Sequence, residues 1–388
     1  MTVAQIGLRN VWRNKGRALL TVAGVAVAVV AFLLLRTVLS AWTAAADYAA
    51  KDRLGTRHRV TFVLPLPLRY ADQIRQVPGV KHASYASWFG AKNPQNESSF
   101  FGSMAVETKT FFGIFDEIQV PEDQKQAWLT DRRGALIGEN LAKQFGWKVG
   151  QKIVLQGTIY PGDWEFNIDA IYTATRKSID KSSLFLHWDY LNESVPAQRK
   201  DQIGWVMTRV NNVSDAPNIA KRIDDVLGSQ EVPTLTMDEH AMNTSFLGML
   251  SAILKALDFV SVVILVIMSL ILGNTIAMGV RERTHEYGVL RAIGFLPMHL
   301  VTFIMGEAVA IGILGGLVGT ALAVPLINQG VGRFLEENMG GFFPYFKLAP
   351  ADAVGGCVLA VALACIVAAI PAYQASKLNT IDALRRVG

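Results

Sequence analysis

The chain has 388 residues, of which 51% are hydrophobic and 18% charged, whereas a soluble domain carries about a quarter charged residues. Its formal charge of +5 is not spread over a surface. Residues 1–17, 281–299 and 377–388 carry +4, +1 and +2, which leaves −2 for everything else. Short basic segments beside apolar runs follow the positive-inside rule and exclude a nucleic-acid surface.

In chain order, residues 1–17 hold Arg9, Arg13, Lys15 and Arg17 and no acid, and predict a cytoplasmic amphipathic helix. Four stretches then reach the roughly 20 apolar residues that a helix needs to span a bilayer. Ala18–Leu35, extending past Arg36, predicts a first span over 18–41. Its length exceeds the apolar region of a cleavable signal peptide, although Ala44-Ala45-Ala46 resembles a cleavage site, so the run reads as an uncleaved anchor. Phe259–Val280, Leu300–Leu326 and Ala353–Tyr373 predict spans over 251–280, 299–326 and 351–375. Helices are required, because backbone groups in lipid must bond within their own segment. With the basic pieces on one side, both termini and the 281–298 segment are cytoplasmic. Residues 42–250 and the 327–350 loop are then external, and Phe342, Phe343 and Tyr345 fit an interfacial aromatic belt or ordinary loop packing. The fold class is an α-helical membrane protein with four transmembrane helices and a large α+β extracytoplasmic domain between the first two.

That domain reads as strands and helices in alternation. Arg59–Leu64 predicts a strand, Tyr70–Val77 a helix ended by Pro78-Gly79, and Val80–Trp88 a second strand. Trp205–Val210 predicts another strand, followed by a helix over Ala216–Leu227 with Ile219, Ile223 and Val226 on one face and a returning strand over Glu231–Leu235. These two strand–helix–strand units bracket a middle region. It contains a strand at Ala135–Glu139, a short helix at Leu141–Phe145, a turn at Gly146 to Gly150, and strands at Lys152–Leu155 and Phe166–Tyr172. Residues 91–103 are polar and read as a mobile loop.

The chemistry-bearing residues give no catalytic set. The six histidines lack ligand spacing, so no metal is expected. Gly138-Glu139-Asn140 has no nucleophile, and no Gly-x-x-x-x-Gly-Lys-Ser/Thr loop is present to hold ATP. Cys357 and Cys365 lie in one apolar run and read as small packing residues. Asn96-Glu97-Ser98 and Asn192-Glu193-Ser194 match a short glycosylation pattern that also arises by chance. Within the spans, Gly312/Gly316 and Gly315/Gly319 are four apart and leave a helix face without side chains, for packing inside the subunit or across a dimer. Glu307 is the one acid inside the four apolar runs. Without a second intramembrane acid it does not form a proton relay, and it reads as bonded to a neighbouring helix or to water near the cytoplasmic end.

Several segments together resemble the MacB/FtsX/LolC permeases of ATP-binding cassette (ABC) transporters. Arg283-Thr284-His285-Glu286-Tyr287-Gly288-Val289-Leu290-Arg291-Ala292-Ile293-Gly294 is similar to that family's cytoplasmic segment, with His285 and Tyr287 departing from the commoner wording. Pro371–Ser376 with Ile381–Arg385 resembles its C-terminal tail, Leu136–Gly150 a recurring piece of its external domain, and Leu8–Lys15 its N-terminal helix. The resemblance spans essentially the whole chain. It implies a non-catalytic subunit that pairs with a second permease and binds a separate P-loop ATPase, which carries the ATP and magnesium. No cofactor is expected on this chain. Arg281, Glu282, Arg283, Glu286, Val289, Leu290, Arg291 and Ile293 would make the ATPase contact, polar groups at its rim and apolar ones seated in a groove. It also implies mechanotransmission in the inner membrane: motion passed to the periplasmic domain, driving export or release of a lipoprotein, lipid, peptide or drug-like substrate, with a periplasmic adaptor or acceptor as a further partner. Two alternatives stay open: an FtsX-like regulator that activates an external cell-wall hydrolase, and a receptor without an ATPase.

Overall fold

A computed structural model describes residues 15–47, 49–96, 101–175, 179–249, 251–338, 343 and 345–377. Most of the N-terminal helix expected over 1–17, the Ile381–Arg385 motif, most of Asn96-Glu97-Ser98 and the Met339–Phe342 stretch lie outside them. The chain divides into two compact units, one comprising residues 41–251 with 333–346, the other the remaining apolar segments.

The first unit is built on one long sheet. Helix α1 (Lys15–Asp47) is followed by β1 (Arg53–His58), β2 (Leu66–Pro67), α2 (Arg69–Arg75) and β3 (Val80–Trp88). Near the end of the domain come β12 (Trp205–Val210), α7 (Ala216–Leu227), β13 (Thr234–Asp238) and α8 (Glu239–Met249). The sheet order is β13-β1-β12-β3, every adjacent pair antiparallel. Each strand–helix–strand unit therefore leaves a one-strand gap that the other unit fills, which is the ferredoxin-like split βαβ arrangement. Leu54 faces Thr208 on one side and Asp238 on the other. The two connecting helices bury Tyr70, Ala71 and Ile74 from α2 and Ile219, Ile223 and Leu227 from α7. The four-residue spacing in α7 is that of one helix face. Val226, expected on that face, is exposed, and Leu227 takes its place.

The strand expected at Arg59–Leu64 is instead β1, one step earlier. Every residue of β1 is buried, arginines included, because the chain supplies their partners. Arg53 makes a bidentate pair with Glu117 at 2.9 and 3.0 Å, and its Nε donates to Glu239 at 2.9 Å. Residues 59–65 form the following loop, where Val60 and Val63 are exposed; Pro65 has no amide hydrogen to offer a ladder. The returning strand likewise starts later than expected, at Thr234.

The middle region extends the same sheet. It contributes β4 (Ala91–Lys92), β5 (Ser103–Val106), α3 (Thr108–Ile114), β6 (Ile118–Gln119), α4 (Glu122–Thr130), β7 (Gly134–Gly138), α5 (Glu139–Phe145), β8 (Lys152–Gly157), β9 (Gly162–Ala174), β10 (Leu184–His187) and α6 (Trp188–Ser194), while β11 (Gln202–Ile203) pairs with β2 in a separate two-stranded sheet. From β3 the order continues β5-β10-β7-β9-β8-β4, with β5/β10 and β7/β9 parallel. Gly146 ends α5 in the left-handed region at φ +67°, where a side chain would be strained. Residues 91–96, expected as part of a mobile loop, include the short strand β4. One sheet face packs under α2 and α7; the other holds Trp128, Phe111, Tyr172 and Leu136, all buried.

The second unit contains the apolar helices. Four are long and apolar enough to cross a membrane: Lys15–Ala41 of α1, Ala252–Glu282 of α9 (Ser251–Glu282), Pro297–Glu337, and Pro350–Ser376, which is α13. Between the second and third lies α10 (Thr284–Ala292). The third begins as α11 (Pro297–Pro325) and runs through a π turn at Leu326–Val331 into α12 (Gly332–Asn338). The linker expected as a loop over 327–350 is thus helical as far as Asn338. Pro325 costs one intrahelical hydrogen bond, and the wider π turn accommodates that loss without ending the helix.

Candidate coupling segment and helix bundle

Helix α10 presents two different sides. Tyr287 and Gly288 are buried, and Arg283 at its N-cap is only 6% exposed. Val289 and Ile293, four apart, are 38% and 72% exposed. Past Gly294, whose φ of +104° turns the chain, Phe295, Leu296 and Met298 add to the same exposed apolar group. This is the one-sided pattern of a helix that lays an apolar face into a groove.

The eight residues expected to meet an ATPase therefore separate. Arg281, Val289 and Ile293 are exposed, while Glu286, Leu290 and Arg291 are half-buried. Nη1 of Arg291 is shielded from solvent without a hydrogen-bond partner among the described residues. Glu282 is bound at 2.6 Å by Arg17 of α1. Arg283 departs from the expectation. It points inward and pairs with Glu307 of α11 at 2.9 Å, with side-chain exposures of 7% and 23%. The Tyr287 hydroxyl also meets Arg283, and burial pushes that phenol above its ordinary pKa. Sequence reasoning counts Arg17 only as a charge that sets topology and Tyr287 only as a departure from the family's wording; the local signal for Tyr287 is its position a helical turn beyond Arg283.

Glu307 thus has a cationic partner on a neighbouring segment, which removes the cost of an isolated carboxylate in an apolar bundle. Further along α11, the four glycines seat two different helices. A Cβ on Gly312 would lie 3.0 Å from Val361 Cα, and one on Gly316 would lie 3.2 Å from Cys357 Cα, both on α13. A Cβ on Gly315 would lie 2.5 Å from Val25, and one on Gly319 would lie 2.8 Å from the Ala26 carbonyl, both on α1. Both glycine pairs are filled by helices of this same chain. The apolar stretch Lys15–Ala41 of α1 is also tied near each end, by Arg17 to Glu282 and by Arg36 to Asp352 at 3.9 Å. Those two arginines are 19 residues apart, about 28 Å along a helix, close to a hydrocarbon thickness of about 30 Å.

Among the described residues, no group of three His, Cys, Asp or Glu side chains could hold a metal. In the sheet unit, a cavity of about 260 Å³ is bordered by Trp88, Trp205, Phe246 and Glu239, whose carboxylate is already engaged by Arg53.

Residues 18–226 match the family described as MacB-like periplasmic core domain, and residues 259–380 match FtsX-like permease C-terminal. Over 99% of its length the chain is 21% identical to an uncharacterised ABC transporter permease of Methanocaldococcus jannaschii, of which it covers 97%. Over 40% of its length it is 32% identical to the ABC transporter permease YtrF of Bacillus subtilis, covering 36% of that protein. Over 33% it is 32% identical to the macrolide export ATP-binding/permease protein MacB of Sodalis glossinidius, covering 19% of it. The periplasmic region of MacB from Actinobacillus actinomycetemcomitans aligns with half of the chain and 92% of that region at 8% identity and a TM-score of 0.36. The topology above stands on its own strands rather than on that score. With a periplasmic-core match over more than half its length, an FtsX-like match over its last three spans, and four apolar helices with an α+β domain between the first and second in sequence, the chain is a multi-pass membrane protein of the MacB/FtsX type of ABC transporter permeases.

Proposed function

We propose that this permease works as one of a pair, each binding a separate ATPase through α10 on the cytoplasmic side. In this reading ATP-driven closure of the ATPases displaces α10, the displacement passes along the spans, and the extracytoplasmic domain moves. Both termini are cytoplasmic, and the 42–250 domain acts outside on a lipoprotein, lipid, peptide or drug-like substrate, with an adaptor or acceptor protein as a further partner. ATP and magnesium belong to the partner ATPase.

The observation that carries this reading is the exposed apolar face of α10, Val289 and Ile293 with Phe295, Leu296 and Met298. Apolar side chains at helical spacing on an otherwise charged segment suit a partner's groove better than water. The basic segments beside the spans support the orientation. The spans also lack the polar lining that a hydrophilic solute path through a bilayer needs, which favours transmission of motion over conduction. The substrate range rests on membership of the family alone.

The test is purification in mild detergent and identification of co-purifying proteins, wild type against Val289→Asp/Ile293→Asp. A P-loop ATPase present with wild type and lost with the variant supports the reading. Absence of an ATPase from intact wild-type protein overturns it and favours a receptor.

A further inference from the structure

We propose that Glu307 and Arg17 are positioning residues. They fasten the root of α10 to two spans at once, so that a load on α10 is delivered to α11 and α1 together. This rests on the reading of α10 as the coupling segment.

The argument starts from two neighbouring residues. Glu282 ends α9 and is held by Arg17 of α1 at 2.6 Å. Arg283, next in the chain, has left helical geometry (φ −102°, ψ 11°) and is held by Glu307 of α11 at 2.9 Å. The break between α9 and α10 would otherwise be a free hinge. Its two side chains instead reach two different spans, and Tyr287, one turn into α10, closes on the same guanidinium. Of the two links, Arg283–Glu307 is the shielded one, so water and salt weaken it little.

What Glu307 receives, α11 can pass on. Gly312 and Gly316 put its backbone against α13, and Gly315 and Gly319 put it against α1. Such backbone-close contacts leave no flexible side chain to absorb a shift. Gly315 is eight residues from Glu307, about 12 Å along the helix. Helix α1 receives the load twice, directly through Arg17 and again through the glycine seat. The plainer role, neutralising two charges near the membrane, predicts a loss of folded protein from single variants but normal behaviour in whatever folds.

The test uses the full-length permease in lipid nanodiscs, with Cys357→Ala and Cys365→Ala, and a spin label on Ile293→Cys. Without any ATPase, Glu307→Gln should raise the label's mobility, Arg17→Gln should raise it less, and the exchange Arg283→Glu/Glu307→Arg should restore it. In unlabelled protein, Glu307→Gln should keep the co-purifying ATPase at wild-type stoichiometry while permease-dependent stimulation of hydrolysis falls at least fivefold, with recovery in the exchange. Unchanged mobility in folded Glu307→Gln and Arg283→Gln protein overturns the proposal whatever the ATPase does. Raised mobility, recovered in the exchange, upholds the fastening even if wild type captures no ATPase, an outcome that sinks the proposed function instead.

Discussion

The sheet unit and the helix bundle are held together by opposite means. In the sheet unit, large side chains fill the space between layers. Trp128 is fully buried against Phe111, Phe112 and His187. In the bundle, helices come close where side chains are missing, as at Gly312, Gly315, Gly316 and Gly319. The difference follows from solvent. Water drives apolar area out of sight, whereas lipid gives no such drive and helices associate by close approach. Shrinking a residue should therefore damage one unit, and enlarging a residue the other.

The largest expected effect is Trp128→Ala, which should cost about 3–5 kcal/mol by the lost transfer energy and the cavity left behind. It is read from the unfolding transition of the sheet unit in the full-length protein, followed by near-ultraviolet circular dichroism. A cost under about 1 kcal/mol would break the contrast. Next, Gly312→Leu should cost about 1–3 kcal/mol by overpacking against α13, seen as earlier thermal aggregation in detergent. Gly306→Ala on the same helix, with nothing within 4 Å of the new methyl, should shift it by less than about 0.5 kcal/mol.

A further variant sharpens the picture of the sheet unit by removing a charge. Burial, with Asp131 adding to it, raises the Asp169 carboxyl to about 6, and its Oδ2 is shielded without a partner among the described residues. The folded pKa lies above the unfolded value of about 3.9. The protonated group's contribution is thus fully present below about pH 4 and lost as pH rises through 6. Asp169→Asn should therefore stabilise the protein at pH 7.5, by about 1 kcal/mol after discounting for the partial exposure of the residue, and the gain should vanish near pH 4. A pH-independent difference between the two melting curves would contradict this. The smallest effect is expected at the exposed Arg132–Glu193 pair, where Arg132→Gln should change stability by less than about 0.5 kcal/mol.

The spans were legible because lipid imposes a length and a polarity that few other constraints mimic. Strands β3 and β12 and helix α7 were legible through apolar spacing. Strand β1 was not, because Arg53 and Arg57 carry no apolar signal. Arg53 is buried against Glu117 and Glu239 and Arg57 reaches Ser245, all far along the chain. The π turn after Pro325 was missed because a proline reads as a stop, while the residues beyond it still form helix. On the candidate site, the exposed spacing of Val289 and Ile293 was readable locally. The inward turn of Arg283 was not, since Glu307 is 24 residues away and only the packing of α11 brings it near. The glycine pairs declared a close approach but not which helix makes it.

The place of β1 in its sheet also bears on how the domain is made. β1 leaves the ribosome before any other strand, yet its two neighbours, β12 and β13, are the last strands of the domain. Its buried Arg53 has likewise to wait for Glu239. Contacts so distant along the chain close slowly, because loop entropy is lost before the pairing is gained. The stretch from β5 to β10, whose strands pair largely with one another, can assemble first. β1 then stays unpaired on both sides through most of the domain's synthesis, and the charge of its arginines works against its pairing with another chain until its partners arrive.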